Sequence, residues 1–71
     1  MKYLVVLILL FNGELITERI SYPMSVGCFD AGEAHIETIA SYKDKGLTGD
    51  PKDQGWYLHD GRGTVQGFYC D

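Results

Sequence analysis

The run Tyr3-Leu4-Val5-Val6-Leu7-Ile8-Leu9-Leu10-Phe11, closed by Asn12-Gly13, limits what this chain can fold into more than any other feature. It is about half of the roughly 20 apolar residues a helix needs to cross a bilayer, so no membrane span is expected. Lys2 before a short apolar run has the form of a secretory leader. No small-x-small cleavage pattern follows, however, and Glu14-Leu15-Ile16-Thr17 returns at once to β-prone residues. Residues 1–11 are therefore expected to be mature structure rather than a signal segment.

As structure, Asn-Gly between two β-rich runs is the preferred loop of a two-residue type I′ hairpin. That loop pairs Phe11 with Glu14, Leu9 with Ile16, Leu7 with Glu18, Val5 with Ile20 and Tyr3 with Tyr22. The other face then pairs Leu10 with Leu15, Ile8 with Thr17, Val6 with Arg19 and Leu4 with Ser21, since neighbouring side chains point to opposite sides of a sheet.

Pro23 ends the second strand, Ser25 is a candidate N-cap, and a helix is predicted over about residues 26–44. Cys28, Phe29, Ile36, Ile39 and Ala40 fall on one stripe of it, while Asp30, Glu33, Glu37 and Ser41 lie towards solvent. Gly32 suits a close approach of helix to sheet. Gly46 to Gly55 is polar and turn-rich and reads as a surface loop. Trp56-Tyr57-Leu58-His59 and Thr64 to Cys70 are β-like, joined by a turn at Asp60-Gly61-Arg62-Gly63. The expected fold is a single α+β domain over residues 1–71, a small antiparallel sheet in the order ββαββ with one helix packed on one face.

Seventy-one residues is near the lower limit for one hydrophobic core without a covalent staple. Cys28, in the first turn of the helix, and Cys70, at the end of the last strand, could provide one. The alternatives are two buried thiols, or a metal site completed by His35 and His59, although these four residues lack the close paired spacing of zinc motifs. A disulfide is the expectation, and it implies an oxidising location such as the periplasm, the extracellular space or a virus particle.

Signals for chemistry are weak. A formal net charge of -4 with scattered lysines and arginines argues against binding a nucleic-acid backbone. Asp30, Glu33 and Glu37 read as a solvated helix face, and Gly61-Arg62-Gly63 lacks the lysine and following helix of a phosphate loop. Trp56, Tyr57, Phe68 and Tyr69 read as core rather than a base-stacking platform, there being no basic residues beside them. No Ser-His-Asp or Cys-His arrangement is visible. Neither catalytic residues nor a cofactor or metal are expected, and the chain is read as a non-enzyme.

The first strand carries the functional expectation. A sheet covered by one helix has one wet face, so its strands should alternate, yet this one is apolar on both sides. With Val5, Leu7, Leu9 and Phe11 under the helix, Leu4, Val6, Ile8 and Leu10 point outward. Each is worth about 1.5 to 3 kcal/mol when buried. Those four residues are the expected interface for a protein partner or a second copy.

An apolar opening strand with Asn-Gly, then Tyr22-Pro23-Met24-Ser25 before a Cys-bearing helix, and a terminal Cys strand, resembles short uncharacterised proteins of marine alphaproteobacteria and their phages. The resemblance spans most of the chain as a pattern and implies context, without assigning a role to any residue. Together with the small size and the cysteine pair, it points to a structural or protein-interaction part, such as a capsid decoration or minor virion protein. The alternative is a small acidic phage-encoded inhibitor or regulator that binds a host protein.

Overall fold

The computed structural model describes residues 2–44 and 54–71, and the predicted loop from Gly46 lies almost wholly outside them. The elements run β1 (Lys2–Leu10), β2 (Leu15–Tyr22), α1 (Cys28–Ile39), β3 (Ala40–Lys43), β4 (Gly55–Leu58) and β5 (Gly63–Cys70). All strands join one antiparallel sheet in the order β2-β1-β5-β4-β3. The architecture is the expected α+β one, a sheet with one helix on it, but with five strands rather than four.

The additional strand comes from the end of the predicted helix. Helical backbone stops at Ile39, and Ala40 is already extended, with φ -145° and ψ 161°. Ala40 then pairs with Leu58, Ser41 with Tyr57, Tyr42 with Trp56 and Lys43 with Gly55. Tilted contact of the Tyr42 and Trp56 rings, with centroids 5.7 Å apart, gives this short edge strand an aromatic cross-strand pair of the kind that stabilises sheets. The helix begins two residues later than expected, at Cys28, with Gly27 rather than Ser25 as its N-cap and no side-chain cap bond. Trp56 to Leu58 and Thr64 to Cys70 form strands as predicted.

The hairpin forms where expected, with a different loop. Leu10 N–H donates to Glu14 O at 2.8 Å and Gly13 N–H to Leu10 O at 2.9 Å, enclosing three residues, Phe11, Asn12 and Gly13. Gly13 takes φ +93°, a left-handed conformation that costs glycine little. Asn12 Oδ1 accepts from Glu14 N–H at 2.9 Å and fastens the turn. One extra loop residue moves the register by one, so Leu4 pairs with Ile20, Val6 with Glu18 and Ile8 with Ile16.

This shift overturns the predicted interface. Leu4, Val6 and Ile8 have 0% exposure and are the largest fully buried side chains, and Leu10 packs half-buried against them. They form the core beneath α1 with Tyr22, Ile36, Ala40, Leu58 and Val65. The physical reason is the period of two in a strand: moving one partner by one residue exchanges the two faces of β1. On β2 the expected face holds, since Ile16 and Ile20 pack against the core. Glu18 shares that side without disrupting it, because His35 on the helix donates from Nε2 to Glu18 Oε1 at 3.3 Å.

Two features seat the helix. Gly32 is buried where a Cβ would overlap the ring of Phe68, so only glycine permits this approach. Cys28 is bonded to Cys70 as a disulfide, with Cα atoms 6.1 Å apart, and ties the first turn of α1 to the end of β5.

Candidate interaction surface

Alternation along the paired strands places Tyr3, Val5, Leu7 and Leu9 of β1 on the face away from α1. Leu15, Thr17 and Arg19 of β2, Thr64 and Tyr69 of β5, Tyr57 of β4, and Ser41 and Lys43 of β3 share it. No element among the described residues packs over this face.

It divides into two parts. At one end Val5 sits opposite Arg19 and Tyr69 on its neighbouring strands and is buried despite facing outward. The Arg19 guanidinium lies 4.3 Å from the centre of the Tyr3 ring and bonds Asp71 at 2.8 Å, so cation, ring and carboxylate form a lid over Val5. At the hairpin end there is no such lid. Leu9, Phe11 and Leu15 are exposed, Phe11 by 56% and Leu15 by 60%. Phe11 leans across to Tyr57, ring centroids 6.3 Å apart, and Lys43 Nζ stands 6.0 Å from the Tyr57 ring.

Beside these rings is a hollow of about 720 Å³, bordered by Leu9, Phe11, Gly55, Tyr57, Thr64 and Gln66. Gln66 is the extra residue of a β-bulge, where β5 slips its register against β1 between Leu7 and Ile8, and it donates to Thr64 Oγ1 at 2.8 Å. Five of the eight large apolar side chains exposed among the described residues, Tyr3, Leu9, Phe11, Leu15 and Tyr69, lie on this face or its hairpin edge, so exposed apolar surface is concentrated here.

The other candidates separate. Cys28 and Cys70 are joined to each other rather than available to a metal. His35 pairs with Glu18, and His59 shares a 2.8 Å hydrogen bond with Ser41 at the opposite end of the sheet order. Among the described residues no three His, Cys, Asp or Glu side chains converge as metal ligands. Trp56 and Phe68 line the helix side while Tyr57 and Tyr69 take the other, so these four aromatics do not share a platform. Among the described residues no helix is long and apolar enough to cross a membrane.

Comparison with known proteins adds no family: no family model, curated protein or solved structure matches this chain.

Proposed function

We propose that this chain is a non-enzymatic structural or protein-interaction part that assembles through the open face of its sheet. The observation that carries the reading is the uncovered apolar end, Leu9, Phe11 and Leu15, on a two-layer domain whose helix covers only the other side. Charge supports a second copy as the occupant. Asp30, Glu33 and Glu37 belong to α1 and Glu18 faces it, whereas among the described residues the one carboxylate at the open face, Asp71, is neutralised by Arg19. Two acidic copies can therefore meet sheet to sheet with their helices outermost. Three strands of eight or nine residues, about 26 to 30 Å long, and two of four residues, about 13 Å long, each about 4.8 Å wide, offer roughly 500 Å² per copy, so a facing pair reaches the roughly 1,000 Å² of a small specific interface.

A virion component, such as a capsid decoration or minor structural protein, is the kind of part that the sequence pattern and the disulfide-closed small domain support. Native mass spectrometry tests assembly: the wild type should give a dimer or higher species, and Phe11→Asp with Leu15→Lys a monomer melting at nearly the same temperature. A wild type that stays monomeric at tens of micromolar would remove the proposal. Presence of the chain in purified particles tests the virion role.

A further inference from the structure

On the other side of the sheet, between α1 and strands β4 and β5, runs a groove of about 320 Å³. Its walls are aromatic and apolar: Phe29, Ile36, Trp56, Val65 and Phe68. Phe29, although 66% exposed, is held against Phe68 with ring centroids 6.0 Å apart, and Trp56 is held by Tyr42. The rim is acidic. Glu33 and Glu37 stand one helical turn apart on α1 and both line the groove. Among the described residues neither carboxylate is bridged to a lysine or arginine, the arginines being engaged by Asp71 and Asp60.

We infer that this groove receives an arginine side chain presented by a basic segment of a partner protein. The chemistry of the walls and rim selects that group. A planar guanidinium stacks on aromatic faces and, unlike an ammonium, offers a fork of donors to carboxylates. The net charge of -4 favours approach of a positively charged partner over an anionic one. The groove opens on the helix side of the sheet and shares Trp56, Val65 and Gln66 with the hollow beside the assembly face, but its rim residues Glu33 and Glu37 are distinct from Phe11 and Leu15, so each reading is tested by its own variants.

Trp56 is the chain's only tryptophan and lines both this groove and the hollow beside the open face, so its emission reports occupancy and the Glu33 and Glu37 variants assign that occupancy to the groove. The intact, oxidised protein is titrated at low salt with a ten-residue peptide of alternating Arg and Gly, and with the same peptide carrying citrulline at every Arg. Saturable change in Trp56 emission with the arginine peptide is expected, weakened about tenfold or more by Glu33→Gln with Glu37→Gln, the loss that one charge-assisted contact represents. Both glutamates are exposed, so an unchanged melting temperature confirms that the variant is folded. The citrulline peptide should leave the emission unmoved. Equal binding of the citrulline peptide, undiminished binding by the double variant, or no change in emission at millimolar peptide overturns the inference. So does tighter binding of spermidine than of the peptide, which would assign the groove to free polyamines.

Discussion

At the scale of single residues, Gly32 sets how near the helix sits to the sheet. A methyl there meets the Phe68 ring, itself in tilted contact with Phe29, so the ring cannot swing aside without undoing a second contact. Gly32→Ala is expected to destabilise by about 1 to 3 kcal/mol through overpacking, even though alanine is the better helix former. Urea unfolding checks the sign, since helix propensity alone would make the change stabilising. Asp60 offers a smaller test. The backbone N–H of Arg62 donates to its carboxylate at 3.1 Å, and this bond, followed by the Arg62 side chain, holds the acid below its ordinary pKa of 3.8. A lowered folded-state pKa means that the turn's contribution is complete above the unfolded value and fades as pH falls through the folded one. An NMR titration should find the Asp60 midpoint below that of a free aspartate, and Asp60→Asn should remove this pH dependence from the turn.

At the scale of elements, one loop residue decides which side of β1 is inside. The strand is apolar on both faces, so its own pattern gave no preference between them, and register followed from the turn alone. Asn12-Gly13 located the hairpin correctly, but the pair sits at the second and third positions of a three-residue loop, which moved every partner by one. The β2 side was legible because Ile16 and Ile20 alternate with Thr17 and Arg19. The partition is measurable: Ile8→Ala should cost about 2 to 5 kcal/mol, as for a fully buried aliphatic, and Leu15→Thr about 0.5 kcal/mol or less in the dilute monomer. Comparable costs at both sites in urea denaturation would contradict the register. The helix end was legible only in part. Ala40 continues the apolar stripe of α1, and the strand it begins is fixed by β4, a partner that local spacing does not reveal. The groove was hidden for a related reason: Phe29, Glu33 and Glu37 share a flank of α1, but its opposing wall comes from β4 and β5.

At the scale of the whole molecule, the fold has a small core and one covalent staple. The bonded cysteines are 42 residues apart, and closing a loop of that length stabilises by about 4 kcal/mol on the chain-entropy model. For a domain of this size each kcal/mol corresponds to about 4 to 8 °C, so reduction should lower the melting temperature by about 15 to 30 °C. Calorimetry with and without reductant measures it, and a fall of only a few degrees would show that packing alone maintains the fold. The cysteine pairing was accessible to sequence reasoning because a helix laid on the sheet brings the two ends together. The open face was accessible in principle but not in detail, since knowing that something greasy must remain outside does not say which side chains.

The strand order adds a consequence for synthesis. β1 is made before the other described strands, yet it lies between β2 and β5, and β5 is the last of them to be made. Until then the nascent hairpin displays a bare line of backbone donors and acceptors beside its greasiest side chains. That seam stays open to pairing with other chains until β5 zips it shut.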